Sequence, residues 1–252
     1  MDRTFEDLVD EAAEVPVDGW DFSWLDGRAT EERPSWGYQR LLGERLAGAS
    51  AALDMQTGGG EVLAGVADGF PRTMVATESW PPNIARATAL LHPLGAVVVA
   101  ASDEPPLPFA DDAFDLVTSR HPVTVRWPEI ARVLRPGGSY LAQHVGPASV
   151  FELVEFFLGP QPEARRARRP EDDADAARAA GLEVVDLRSE RLRIEFRDIG
   201  AVVYFLRKVT WMVPGFTVDG YRERLRALDA LIRAEGPFTA HAARFLIEAR
   251  RP

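Results

Sequence analysis

The sequence predicts an α/β fold with a doubly wound, mostly parallel sheet of seven strands. Strand-like and helix-like segments alternate between residues 51 and 145, which is typical of successive βαβ units. The strand segments are rich in valine and lack a regular polar alternation, as expected when helices cover both faces of a sheet. Right-handed crossovers then favour the doubly wound arrangement. A chain of 252 residues is long enough for one sizeable core.

The elements are predicted in chain order. Residues 1–48 form a helical N-terminal arm, whose helix lies within 33–50 because Leu41, Leu42 and Leu46 recur at helical spacing. Strands follow at 51–55, 72–78, 96–102, 114–121 and 137–145, and helices lie between them at 60–70, 83–95 and 127–136.

The main domain, residues 49–252, ends with two more strands at 182–196 and 238–250. Between them, helical segments are predicted to form a cap insertion at 198–235. The stretch 159–173 is rich in proline and arginine and is predicted to be a mobile surface loop.

The composition excludes several classes of protein. No apolar run approaches the roughly 20 residues that span a bilayer, and the acidic start lacks the pattern of a signal peptide. Without cysteine, disulfides and thiolate chemistry are excluded, and the four histidines are too scattered for a metal site. We expect a cytoplasmic protein without metal or membrane partner. The sequence does not indicate its oligomeric state.

The net charge of −10 argues against a broad nucleic-acid surface. The first 34 residues hold eleven acids against three bases, so most of the negative charge lies in the arm. A basic run, which contains Arg165, Arg166, Arg168 and Arg169, is the exception. Such runs are usually solvated loop faces, but a phosphate-facing surface stays open.

A glycine-rich turn, LDMQTGGGE at 53–61, follows the first strand of the alternating region. Glycines at such a turn let a ligand approach the backbone at the strand ends. A dinucleotide fingerprint beginning at Gly58 would need glycine at position 63, which is Leu63. Glu61 would also repel a pyrophosphate from the first helical turn. The turn therefore favours a cationic ligand without phosphate.

From this turn onwards, the sequence resembles the class I S-adenosylmethionine-dependent methyltransferases, which have a Rossmann-like fold. The family's pattern of an acid followed by three alternating glycines falls on Asp54, Gln56, Gly58 and Gly60, so that Gln56 is the departure. The segments LPF, FDLV and EIARVLRPGGSYLAQ are similar to the ubiquinone-biosynthesis-type branch. The resemblance implies that 49–252 is a methyltransferase domain with S-adenosylmethionine as cofactor.

The resemblance also implies roles for residues at the strand ends. Glu78 would accept hydrogen bonds from both ribose hydroxyls, Trp80 would line the adenine pocket, and Asp103 would accept from the adenine amino group. The predicted cofactor set is completed by Thr57, Ser79, Glu104 and Ser119.

Methyl transfer to a hydroxyl benefits from a general base that takes the hydroxyl proton. A neutral histidine suits that role near neutral pH. His121 follows the fourth predicted strand and His144 lies near the end of the fifth. Both strand ends should face the cofactor, although either histidine also suits a structural role. Residues 119–122 read Ser-Arg-His-Pro in place of the Asp/Asn-Pro-Pro-Tyr of enzymes that methylate DNA amines or glutamine amides. That difference argues against both of those substrates.

The aromatic residues Trp36, Tyr38, Tyr204 and Trp211 are the candidates for an acceptor pocket, although helical spacing also suits the last two as core residues. We expect a small-molecule acceptor, a hydroxyl or an amine. Two alternatives stay open. The basic run and the 188–233 region would serve an RNA methyltransferase, and Gln56 would suit a noncatalytic module that binds the cofactor.

Overall fold

A computed structural model describes residues 3–17, 19–102 and 104–252. Residue contacts divide the chain into two compact units. The first unit comprises Met1–Arg33, Pro147–Ala167 and Arg191–Ala243, and the second comprises Pro34–Gly146, Arg168–Glu190 and Arg244–Pro252. The predicted boundary between residues 48 and 49 stays a prediction.

Eight strands in the described residues form one sheet. They are β1 (Ala29–Glu31), β2 (Ala51–Met55), β3 (Thr73–Glu78), β4 (Ala96–Ala100), β5 (Phe114–Arg120), β6 (Leu134–Val145), β7 (Glu183–Phe196) and β8 (Phe238–Arg250). Their order is β1-β7-β8-β6-β5-β2-β3-β4. The pairs β2–β3, β2–β5, β3–β4 and β5–β6 are parallel, whereas β1–β7 and β6–β8 are antiparallel.

The prediction of an α/β fold with a mostly parallel sheet is confirmed, but the predicted count of seven strands is wrong. The additional strand is β1, which pairs with β7 through only three residues. A strand of that length is too short to show an alternating pattern in the sequence.

The helices are α1 (Phe5–Glu14), α2 (Tyr38–Ala47), α3 (Glu61–Ala64), α4 (Pro81–Leu91), α5 (Trp127–Val133), α6 (Phe151–Leu158), α7 (Pro170–Ala179), α8 (Ile199–Lys208) and α9 (Arg222–Glu235). The helix predicted at 60–70 is shorter in the structure. It is the single turn of α3, which ends at Ala64 with Gly65 as its C-cap. The stretch 159–173, predicted as a loop, ends inside α7. Pro170 and three acids in the next turn start that helix, as helix N-termini prefer.

The second unit has an apolar cluster on each face of its sheet. Leu53, Val117 and Tyr140 belong to one cluster, and their chain neighbours Ala52, Leu116 and Leu141 belong to the other. Because successive side chains of a strand point to opposite faces, both faces are covered, as in a doubly wound fold.

The first unit has a core of its own, in which α1, α6, α8, α9 and inward residues of β7 pack together. Val9, Val202 and Leu228 are fully buried in it. Helices α8 and α9 lie between β7 and β8 in the chain, where the cap insertion was predicted. None of the helices in the described ranges has the length and apolar character needed to cross a membrane.

Candidate functional site

The turn after β2 requires an unusual backbone conformation. Gln56, Gly58 and Gly60 have positive φ angles of 56°, 66° and 87°, a region in which L side chains are strained. A Cβ at Gly60 would also lie 2.9 Å from the side chain of Leu91 in α4. Glycine at position 60 therefore allows both the turn and the close approach of α4.

Gln56 is held by the loop that follows β5. Its Nε2 donates to the Thr124 carbonyl oxygen at 2.6 Å, and its Oε1 accepts from the Val123 N–H at 2.7 Å. These two hydrogen bonds offset the roughly 1–2 kcal/mol that a left-handed backbone costs a residue with a Cβ. Gln56 thus ties the glycine turn to the 123–124 loop.

Asp54, at the end of β2, is a buried carboxyl. Burial raises the pKa of Asp54 to about 6, while the Thr118 hydroxyl, which donates to Oδ1 at 2.6 Å, opposes that shift. The neighbouring Thr57 Oγ1 is also buried and has no hydrogen-bond partner among the described residues. A bound ligand could satisfy that oxygen.

Glu78 ends β3 and accepts hydrogen bonds from the glycine turn and from the two residues that follow it. Its Oε2 accepts from the Gly58 N–H, and its Oε1 accepts from the N–H groups of Ser79 and Trp80, all at 2.9 Å. A carboxylate offers about four acceptor positions, so one position on Oε2 remains. The predicted contact with both ribose hydroxyls therefore requires Oε1 to release one N–H group. The side chain of Trp80 is half exposed, which leaves its ring available for stacking.

The other predicted cofactor residues differ in their exposure and in their present partners. Ser119 is buried, and its hydroxyl joins β5 to β2 by donating to the Met55 carbonyl oxygen at 2.8 Å. Glu104 is exposed and forms an ion pair with Arg126 at 3.0 Å. Asp103 lies outside the described residues.

The charges around the turn suit a cation better than a phosphate. Glu61 begins α3 and folds back over the turn, where a Cβ at Gly59 would collide with its carboxylate. Asp54 and Glu78 add two carboxyl groups at the adjoining strand ends. This set fits a sulfonium and an ammonium group and would repel a pyrophosphate. Within the described residues, no cluster of three or more His, Asp or Glu has the arrangement of a metal site.

His121 follows β5 and belongs to a chain of side-chain hydrogen bonds. Trp36 Nε1–H donates to Gln143 Oε1 at 2.9 Å, so the Gln143 amide nitrogen donates to His121 Nε2, also at 2.9 Å. Burial, followed by the positive charge of Arg120, holds the pKa of His121 well below 6.5. His121 is thus a neutral ring whose Nε2 lone pair is already engaged.

His144, near the end of β6, stands in a second chain. Its Nδ1 lies 3.0 Å from Asp173 Oδ2, and its Nε2 lies 3.1 Å from the Tyr140 hydroxyl. Trp127 Nε1–H donates to Asp173 Oδ1 at 3.2 Å. Burial raises the pKa of Tyr140 well above 10, so this phenol donates to Nε2 and Nδ1–H donates to Asp173. Both nitrogens of His144 are engaged.

The predicted acceptor residues lie in both units. In the second unit, Trp36 and Tyr38 are 2% and 6% exposed, and the Tyr38 hydroxyl donates to the Ser119 carbonyl oxygen at 3.0 Å. In the first unit, Tyr204 is buried, with its ring 4.8 Å from that of Trp24. Trp211 is 54% exposed.

Two cavities of the second unit lie beside strand ends. The smaller, about 10 Å³, is lined by Met55, Gln56, Thr77, Ser102, Leu107 and Glu129, among others. The larger, about 320 Å³, we call the His144 cavity; its lining includes Val123, Val125, Trp127, His144, Arg168 and Asp173. Small-molecule pockets usually measure roughly 300–1,000 Å³. Of the two, the His144 cavity has room for a small molecule in this structure.

Comparisons with known proteins agree with the predicted methyltransferase fold, whereas the ubiquinone-biosynthesis-type branch stays a prediction. Residues 53–142 match a family model described as a methyltransferase domain. Among curated proteins, none matches the sequence. A solved structure of a putative methyltransferase from Bacillus halodurans C-125 is similar, with a TM-score of 0.60, 21% identity, and coverage of 85% of this chain and 98% of that chain.

Two further solved structures share the fold. The YcgJ protein of Bacillus subtilis has a TM-score of 0.58 and 16% identity over 85% of this chain and 97% of its own. A Haemonchus contortus phosphoethanolamine N-methyltransferase, in complex with phosphomonomethylethanolamine and S-adenosylhomocysteine, has a TM-score of 0.53 and 17% identity over 99% of this chain and 60% of its own. Residues 53–142 thus carry a methyltransferase domain, which supports S-adenosylmethionine-dependent methylation as the activity of this chain, and the solved structures share its fold.

Proposed function

We propose that the enzyme transfers a methyl group to a hydroxyl or amine of a small molecule that binds in the His144 cavity. The observation that carries this proposal is the cavity itself, about 320 Å³ in volume and adjacent to the carboxyl end of β6. In sheets of this kind, ligands bind at the carboxyl ends of the strands. One structural neighbour, the Haemonchus enzyme, holds a small molecule alongside its cofactor product.

The cofactor would be held at the glycine turn, and when bound it supplies an electrophilic methyl group on a sulfonium. Glu78 would accept from the ribose, Trp80 would cover the adenine, and Gln56 would border the methionine end. The smaller cavity, about 10 Å³, is lined by Gln56 and, among others, by Ser102, Pro105 and Leu107. Some of these side chains must therefore move when the cofactor enters.

The acceptor would be oriented by groups in the His144 cavity. Asp173 is a partly exposed carboxylate there and can accept a hydrogen bond from a hydroxyl or ammonium group. His144 would take the proton of a hydroxyl acceptor at Nε2 once Tyr140 releases that atom. We assign His121 a positioning role, because its Nε2 is engaged by Gln143.

RNA as the acceptor has less support. In the basic run, Arg165 pairs with Glu155 at 2.7 Å and Arg169 pairs with Asp172 at 2.9 Å, so two of the four arginines are neutralised locally. The net charge of −10 further opposes a polyanion.

The first experiment is calorimetric titration with S-adenosylmethionine and, as a control ligand, NAD. We expect micromolar binding of the first and none of the second. Glu78→Ala should abolish binding, whereas Glu183→Ala, an exposed acid at the start of β7, should leave it unchanged. Binding of NAD, or equal binding by both variants, would contradict the assignment of the site.

Transfer is then measured with a labelled methyl donor, against a small-molecule extract and against total RNA in parallel. Label in the small-molecule fraction supports the proposal. Label in RNA alone would replace it with the RNA alternative, and cofactor binding without transfer to either would favour a noncatalytic module.

A further inference from the structure

We propose that the His144 cavity selects an anionic small molecule, with a carboxylate or phosphate paired to Arg168 and an apolar body against Val123, Val125 and Trp127. This inference rests on the proposed function only in taking the ligand to be the methyl acceptor. The binding site itself is argued from the walls of the cavity.

The walls differ in character. Val123, Val125 and Trp127 come from the loop and helix after β5, and they give one side an aliphatic and aromatic surface. Arg168, Arg169 and the start of α7 form the other side. A ligand with an apolar part and a charged part would match both sides, because the polar groups of a pocket fix the orientation of its ligand.

Most charges in the cavity are already paired. Arg169 forms a two-point pair with Asp172, at 2.9 and 3.3 Å. Both oxygens of Asp173 accept hydrogen bonds, one from Trp127 and one from His144. Arg168 has no hydrogen bond or ion pair with any residue in the described part of the chain. One cation of the cavity is therefore left for a ligand.

The backbone at Arg168 is also unusual. Its φ angle is 60°, so a bulky residue occupies the left-handed region, which costs about 1–2 kcal/mol. Strain of this kind concentrates at binding sites. The next two residues are Arg169, which is the N-cap of α7, and Pro170, which begins that helix. Arg168 therefore precedes a rigid element and lies at the cavity wall.

The test is direct binding of matched probe pairs in the presence of S-adenosylhomocysteine. The anionic probes are benzoate, 4-hydroxyphenylacetate, octanoate and phenyl phosphate, and the neutral probes are the three corresponding amides and phenol. Dissociation constants are measured by ligand-observed NMR for the wild type, for Arg168→Gln, and for Arg166→Gln as the control from the same basic run. Thermal midpoints verify that all three proteins are folded.

We expect at least one anion to bind about tenfold more tightly than its neutral partner, the usual effect of a charge-assisted hydrogen bond at a partly exposed site. Arg168→Gln should remove this preference and Arg166→Gln should keep it. The inference is overturned if no pair shows a preference, if no probe binds, or if Arg168→Gln retains the preference.

A separate transfer assay distinguishes this inference from the proposed function. An anion that binds through Arg168 but is never methylated leaves the anion site in place and counts against the small-molecule acceptor. A neutral molecule that is methylated equally well by the wild type and Arg168→Gln supports the small-molecule acceptor and counts against the anion site.

Discussion

Gln56 Oε1 accepts the backbone N–H of Val123 at 2.7 Å. Gln56 lines the smaller cavity, and Val123 lines the His144 cavity. A single hydrogen bond therefore joins the wall of the proposed cofactor site to the wall of the proposed acceptor site. The position at which the sequence departs from the glycine pattern is thus the position that links the two sites.

Replacing Gln56 with glycine should release the loop after β5. Gln56→Gly removes both side-chain hydrogen bonds to 123–124 and relieves the positive φ of 56° at this position. These effects oppose each other, so we expect the free energy of unfolding to change by no more than about 1 kcal/mol. The exchange of the Val123 amide hydrogen should become at least about tenfold faster, measured by native-state hydrogen exchange.

Gln56→Glu is the matched control for that experiment. A glutamate at this position still offers Oε1 to the Val123 N–H but has no N–H to donate to Thr124. The Val123 amide should therefore stay protected in Gln56→Glu. Fast exchange of Val123 in the wild type would show that the link is absent in solution.

Burial of Asp54 makes stability depend on pH in a defined direction. Its pKa in the folded state is about 6, above the usual 3.8. The unfolded chain therefore releases this proton at lower pH than the folded protein does. The contribution of Asp54 is greatest below pH 4 and is lost as pH rises through about 6, a change of about 3 kcal/mol.

Asp54→Asn tests that effect, because asparagine keeps an acceptor for the Thr118 hydroxyl but does not titrate. Denaturant unfolding of both proteins is compared at pH 4.5 and 7. The variant should gain stability relative to the wild type as the pH rises. A difference in unfolding free energy that is the same at both pH values would show that Asp54 titrates normally.

Much of the sheet could be predicted from sequence, and the missing parts have local causes. Strands such as β2 and β5 are apolar, and the family resemblance pointed to Asp54 and Glu78 at the ends of two parallel strands. Helix α6 was not predicted, because it begins after Val150 in a left-handed conformation and has no side-chain cap.

The hydrogen-bond networks could not be predicted, because they join residues that are distant in sequence. Asp173 lies 29 residues beyond His144, and Val123 lies 67 residues beyond Gln56. No local pattern connects such pairs. The positions of single histidines at strand ends were therefore foreseeable, but the groups that engage their nitrogens were not.

The His121 ring should stay uncharged between pH 8 and pH 6.5. Burial lowers its pKa well below 6.5, so the unfolded chain takes up a proton there before the folded protein does, and stability falls as the pH drops below about 6.5. In NMR spectra, the ring signals of His121, assigned by comparison with His121→Gln, should not shift between pH 8 and 6.5. A titration midpoint near 6.5 would contradict the lowered pKa of His121.

Asp173 and Asp172 are adjacent acids of α7 with different partners, and they make a matched pair. Asp173 accepts from the buried side chains of His144 and Trp127, whereas Asp172 pairs with the exposed Arg169. Asp173→Ala should lower the free energy of unfolding by about 2–3 kcal/mol, because it leaves two buried donors unsatisfied. Asp172→Ala should cost less than about 0.5 kcal/mol, as for an exposed ion pair. Denaturant unfolding measures both, and equal losses would mean that the chain from Tyr140 through His144 to Asp173 does not hold α7 in place.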